Sequence, residues 1–448
     1  MILKKANEAL VYTGGTWEEL GWGPIQFPKL YKMKNGNIGL SVHDGEDTWD
    51  DLVGDAAVKW FVTEDCGKTW RKAEKSDVNM MGTILPSGDV LRAQPNDPVY
   101  LNGIEFEEST ISGAYHMHVP SDDLTPKMSD DPTRLPEAIT ATSDIFGRRY
   151  TVFWLDTLPD DLIEKRLRFT RIKDGANESE DFYAPVDWKH RTTFVYNHEG
   201  GLTADGQMLG QAGLFSCRDI VVMPDGSLLI PHYRPYGTNP YTGVYENTSN
   251  VYFLRSTDNG ETWKLHGYIP YQPDDTKDRY AHLVEGFAEP CISLEEDGSM
   301  LCILRSNDAF HGALSWGPIY LSRSYDGGKT WEKPEYFKDR GALPQLLHLK
   351  NGITLAVVTR PGIYIYASKD GGRTWSEPLE VMTGDDRTHL GNTIPERPHF
   401  HRWEGSCCNC TILPIADNCA LLAFSDFYIP DENGVKRKGI KTIEIIAE

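Results

Sequence analysis

No apolar run in this 448-residue chain reaches the length needed to cross a bilayer as a helix. Its opening segment, MILKKANEALVYTGG, holds two lysines but no apolar stretch of signal-peptide length, so the chain is read as cytoplasmic. Positive charge is also short: 45 Lys and Arg stand against 66 Asp and Glu, a formal net charge of −21. A surface that acidic repels nucleic acid and anionic membranes at long range, so neither is expected as a partner. It leaves room for a small basic pocket. Cysteine is sparse, and eight residues make no disulfide framework in a chain this long. Cys407, Cys408, Cys410 and Cys419 do cluster. A Cys-Cys-x-Cys run on one strand sends alternate side chains to opposite faces, which suits buried thiols better than a zinc site. No metal and no other cofactor is expected.

The chain is rich instead in aromatics, with 21 Tyr, 16 Phe and 12 Trp, which suits a folded β protein. It is also rich in one repeated motif. TEDCGKTW runs from Thr63 to Trp70, STDNGETW from Ser256 to Trp263, SYDGGKTW from Ser324 to Trp331 and SKDGGRTW from Ser368 to Trp375. Each follows an apolar run and reads as a tight β-turn. The Asp carboxylate accepts from turn amides, the Gly takes a positive φ, and the Trp re-enters a strand and packs on its neighbour. Asp65, Asp258, Asp326 and Asp370 are therefore structural. Strand-rich units repeating at intervals of tens of residues point to a β-propeller.

A second repeat agrees. Apolar strand pairs turn at Asn35-Gly36, Ser87-Gly88, Asp225-Gly226, Asp297-Gly298, Asn351-Gly352 and Asp417-Asn418. Six inner hairpins predict an all-β, six-bladed propeller over residues 1–448, one domain, with the four Asp motifs in blades one, three, four and five. The strand around Ala9–Tyr12 is expected to complete blade six and close the ring. The interval between Gly88 and Gly226 is too long for one blade. It predicts an insertion around residues 100–200 in blade two, with a seventh blade as the alternative.

In such a ring the inner strands start, and the second strands end, on one rim of the channel. That rim collects Gln26, His43, Asp44 and Asp50-Asp51 from blade one, and Arg218, His232 and Arg234 from blade three. Blade four adds Glu285, Glu289 and Arg305, blade five Arg360, and blade six Cys408-Asn409. Arginines ending apolar strands need partners, and converging guanidinium groups suit a carboxylate. The alternative is internal pairing of Arg305, Arg360 and Arg218 with Glu289, Asp219 and similar neighbours. Two separated carboxylate clusters, Asp50 and Glu285/Glu289, are also the minimum equipment for glycosidic bond cleavage.

The four turns resemble the Asp-box of the sialidase (neuraminidase) superfamily. The resemblance covers most of the chain and implies a glycoside hydrolase acting on carbohydrate. By position, Arg305 and Arg360 resemble two of the family's three substrate-binding arginines. Glu289, or Glu285 as second choice, resembles its glutamate, and Asp50 its acid/base. Two positions depart. The family's Arg-Ile-Pro reads Gln26-Phe27-Pro28 here, and the place of its tyrosine nucleophile falls on Asn409. A sialic acid carries a carboxylate on its anomeric carbon, which repels an anionic nucleophile. A sugar without that group would let Glu289 attack directly or activate water. The expectation is an exo-acting hydrolase of a terminal acidic or neutral sugar, not necessarily sialic acid, with Arg218, Gln26, Asp44 and Asn409 among the substrate contacts. The alternatives are a true exo-α-sialidase using Arg218 and Tyr280 as replacements, and a non-catalytic carbohydrate- or protein-binding propeller.

Overall fold

A computed structural model describes residues 1–21, 23–45, 57–94, 166–187, 220–233, 249–278, 286–307, 318–339, 341–360, 362–383 and 409–448, with short stretches inside 99–246. Regular secondary structure among the described residues is nearly all strand, and the sheets follow the meander of a β-propeller. Unit one pairs Gln26–Lys32, Ile38–His43, Val58–Thr63 and Arg71–Lys72 in that order. Unit two comprises Thr83–Ile84, Val90–Ala93, Arg166–Ile172 and Glu180–Asp187. Unit three comprises Val221–Val222, Leu228–Tyr233, Val251–Ser256 and Trp263–Ile269. Its outer strand pairs in parallel with that of unit two, Val186 opposite Trp263, so these two units merge into one sheet.

Unit four runs through Gly286–Leu294, Met300–Asn307, Ile319–Ser324 and Glu335–Lys338, and unit five through Ala342–His348, Thr354–Thr359, Ile363–Ser368 and Leu379–Met382. Unit six takes Cys410–Ala416, Cys419–Pro430 and Lys436–Ala447 from the C-terminal end. Its outermost strand is Leu3–Thr13, antiparallel to Lys436–Ala447. The two ends of the chain thus share one sheet, as the sequence predicts. Inner strands of successive units lie side by side from four to six and from six on to one and two, and the second strand of unit three lies against the inner strand of unit four. A further sheet joins Ile111–Tyr115, Ala141–Ser143 and Arg148–Leu155 to Thr193–Asn197, so strands before and after the outer half of unit two pair with each other.

Local chemistry explains the frame. Gly36, Gly88, Gly226, Gly298 and Gly352 sit in the hairpin turns at φ between 79° and 87°, a region in which only glycine is unstrained. The four Asp turns lie between the third and fourth strands of units one, three, four and five. In unit four, Asp326 Oδ1 accepts from Ser324 Oγ at 2.9 Å, Lys329 N at 3.1 Å and Thr330 N at 2.9 Å, and Oδ2 from Thr330 Oγ1 at 2.6 Å. Trp331 Nε1 donates to Gly328 O at 3.0 Å, and its ring stacks 4.6 Å from Phe253 of unit three. Trp263 likewise stacks 5.5 Å from Phe169 of unit two. Each Trp cements its unit to the one before it, and the core runs around the ring as a series of such seams.

Candidate functional site

The inner strands of units one, four and five carry the same irregularity. Ladder register slips between Gln26 and Lys29, between Ala288 and Cys291, and between Ala342 and Gln345. Each slip holds an x-Pro pair: Phe27-Pro28, Glu289-Pro290 and Leu343-Pro344. Proline has no amide to give the ladder, so the strand bulges around it. The residue before it turns left-handed, with φ of 48° at Phe27, 49° at Glu289 and 43° at Leu343. A side chain held there costs about 1–3 kcal/mol. All three bulges sit at the rim where the inner strands begin.

Glu289 uses its bulge to bridge two units. Its Oε1 accepts from Arg305 NH1 at 2.7 Å and its Oε2 from the Leu343 amide of unit five, also at 2.7 Å. The ion pair is largely buried, with side-chain exposures of 9% and 13%. Arg305 lies opposite Ala288 in the ladder, so the bulge swings Glu289 back over its own hairpin partner. A second network spans units five, six and one. The Arg360 guanidinium donates to Asn409 Oδ1, and Asn409 Nδ2 donates to Gln26 Oε1. All three side chains are buried. Ser425 Oγ accepts from the Asn409 amide at 3.1 Å, which fixes the residue that opens unit six. Gln345 Nε2 donates to Cys410 O at 3.1 Å and lies two residues from Leu343, so the two networks touch neighbouring stretches of backbone.

Arg305 and Arg360 do not occupy matching places in their ladders. Arg305 is opposite Ala288 inside its ladder, whereas Ala342 is opposite Thr359, one residue before Arg360. One residue along a strand inverts the side-chain direction. The backbone of Arg360 itself is left-handed, with φ of 56°. Asp44 also has its own partner, an ion pair with Lys59 of the same unit. Burial pushes the Lys59 amine down, but Asp44 and the Tyr12 hydroxyl outweigh it and hold the pKa above the usual lysine value. Asp50, Arg218, Glu285 and Tyr280 lie outside the described residues.

Sequence reasoning passed over one feature of this rim. Tyr320 donates to Asp278 Oδ2 at 3.1 Å, and the Asp274 amide donates to Tyr320 Oη at 3.3 Å. Tyr271 meets Phe287 edge-on at 4.9 Å, two residues before Glu289. Burial pushes the Tyr320 hydroxyl up, so it stays a protonated donor. The only signal in the sequence is the carboxylate density of Asp274, Asp275 and Asp278 ahead of an apolar strand.

Residues 196–411 match the BNR repeat-like domain family. That span takes in three of the four Asp turns and both arginine-bearing hairpins. No curated protein matches the chain. Solved structures similar to it include a protein of unknown function from Dyadobacter fermentans, at 15% identity and a TM-score of 0.49 over 100% of this chain and 99% of that one. A variant of the NanB sialidase from Streptococcus pneumoniae is similar at 12% identity and a TM-score of 0.45, over 99% of this chain and 71% of that one. An α-L-arabinofuranosidase from Fusarium graminearum in complex with an iminosugar inhibitor is similar at 10% identity and a TM-score of 0.46, over 98% and 97%. Similarity of this degree speaks to neither substrate nor mechanism.

Proposed function

We propose that the protein is a sialidase-type glycoside hydrolase that removes a terminal acidic or neutral sugar, without requiring sialic acid. The observation that carries this reading is Glu289, an ion-paired carboxylate held on a strained bulge at the rim of the inner strands. Strained bulges and buried charges are costly, and both concentrate where chemistry needs a fixed group. Arg305 keeps Glu289 ionised, as a nucleophile or general base must be. Asp50 is assigned as the general acid that protonates the leaving oxygen. Arg360, oriented by Asn409, anchors a substrate oxygen or carboxylate.

The neutral pair Gln26–Asn409 supports a substrate other than a sialic acid. Neither amide can ionise, so neither supplies a third cation or a nucleophile. Without a carboxylate on the anomeric carbon, an anionic Glu289 can approach it or activate a water beside it. One observation favours a second reading, a carbohydrate-binding propeller without catalysis: both Glu289 oxygens already accept hydrogen bonds. A screen against aryl glycosides of sialic acid, uronic acids and neutral sugars separates the two. Turnover of a uronic or neutral glycoside supports the hydrolase. Saturable binding with no turnover of any glycoside supports the binder, and preference for the sialoside refutes the change of substrate.

A further inference from the structure

Each Asp turn docks on the second strand of the unit before it. A β-carbon added at Gly67 would meet Leu421 at 2.6 Å, one at Gly260 would meet Leu91 at 2.7 Å, and one at Gly372 would meet Leu301 at 2.6 Å. At the seam between units one and six, this repeated contact sets a turn and a strand that each carry a cysteine against each other. Cys66 precedes Gly67, and Cys419 stands two residues before Leu421 on the same face of its strand. That face belongs to unit one: Leu421 and Ala423 pack with Leu40, Val42 and Phe61. Trp70 Nε1 donates to Thr442 Oγ1 at 3.1 Å, and Thr442 Oγ1 donates to Gly67 O at 3.2 Å, which fixes the turn against unit six.

Both thiols are free; Cys66 is exposed, and Cys419 is 9% exposed. Burial pushes the Cys419 thiol up to about 11, with Glu444 and Cys66 adding to it. Cys66 is also an unexpected residue for its backbone. The equivalent turn positions are Asn259, Gly327 and Gly371, with φ of 59°, 73° and 64°, and Cys66 sits at 59°. Asn and Gly tolerate that conformation, whereas cysteine has no local reason to occupy it.

We propose that Cys66 and Cys419 form a redox modification site, joined on oxidation into a disulfide that staples unit one to unit six. The co-reactant is a low-molecular-weight disulfide of the glutathione type. The exposed Cys66 attacks as thiolate, forms a mixed disulfide and expels one small thiolate. Cys419, deprotonated as it reacts, then attacks Cys66 Sγ and expels the second. The protein loses two electrons and two protons, and the small disulfide is reduced to two thiols. The cross-link spans most of the chain and adds a covalent bond to a seam that the backbone crosses only between Thr13 and Gln26.

The test is incubation of the folded protein with oxidised glutathione, then non-reducing digestion with mass spectrometry and a thermal melt. A Cys66–Cys419 cross-linked peptide is expected, lighter by two hydrogens than its parts. The Tm should rise on the order of 3–5 °C, fall back with dithiothreitol, and stay unchanged in Cys66→Asn, a residue the sister turn already accommodates. Glutathione retained on Cys66 without the cross-link would overturn the proposal. A cross-link that leaves the Tm unmoved would overturn the staple.

Discussion

Glu289 and Arg305 meet at 2.7 Å across one hairpin because a single proline displaces the strand between them. The same carboxylate reaches the Leu343 amide, so one side chain ties unit four to unit five while staying charged at the rim. Structure and proposed chemistry therefore depend on the same group. Glu289→Ala should leave Arg305 without this carboxylate and cost about 3–5 kcal/mol of stability, the loss typical of breaking a buried pair from one side. Chemical denaturation of wild type and variant measures it. A cost within the scatter of surface substitutions would show the pair to be solvated.

The Asp turns are expected to stabilise without taking part in turnover. Asp326→Ala removes the acceptor of four hydrogen bonds and should cost about 1–3 kcal/mol. Turnover per folded molecule should not change. A variant that melts normally but hydrolyses poorly would contradict this.

The same turns predict acid lability. Burial pushes the Asp326 and Asp370 carboxyls up, yet the hydroxyls and amides of Thr330, Ser324, Thr374 and Ser368 outweigh it and hold both at about 2. Folded values below the unfolded value of about 3.9 mean a contribution fully present above pH 4 and lost as pH falls toward 2. Unfolding followed from pH 5 to pH 2 should show this loss, and it should be shallower in Asp326→Asn. Equal slopes in the two proteins would rule out Asp326 as a source.

Between units four and five, His348 Nδ1 lies 3.1 Å from Glu295 Oε2, beside Thr354. Glu295 raises the His348 pKa above its ordinary value, with smaller help from Glu296 and Asp297. Stability from this contact is complete below about pH 6.5 and lost as pH rises through the raised folded value. The Tm of wild type should fall from pH 6 toward pH 8 more than that of His348→Gln. Parallel Tm curves would remove this contact from the account.

Arg360→Lys should raise KM with a smaller change in kcat, because lysine keeps the charge and loses the planar fork that Asn409 holds. A fall in kcat with KM unchanged would move Arg360 from anchoring to chemistry.

Much of the frame is legible in local chemistry. Asn35-Gly36 and Asp297-Gly298 mark turns by backbone conformation alone, and Asp326 builds its turn from neighbours within six residues. The rim is harder to read because it depends on register. Arg305 and Arg360 both end apolar strands, yet Arg305 pairs with Ala288 while Arg360 stands one residue past the equivalent Ala342–Thr359 pair. Pro28 and Pro344, each third in an inner strand, and Pro290, fifth in its own, are the signal that exposes the bulges. Asn409 as the link between Arg360 and Gln26 has no sequence signal, since the three residues come from three units. Asp44 pairs with Lys59 through ordinary cross-strand proximity, which a list of rim residues does not reveal.

The most direct test of the hydrolase reading is turnover by Glu289→Gln, which keeps the shape of the side chain and removes its charge. The glycoside that wild type hydrolyses fastest should be cleaved at least about 100-fold more slowly by the folded variant, since an amide is neither nucleophile nor base. Near-normal turnover by folded Glu289→Gln would contradict the account and leave Glu289 as a tie between units four and five.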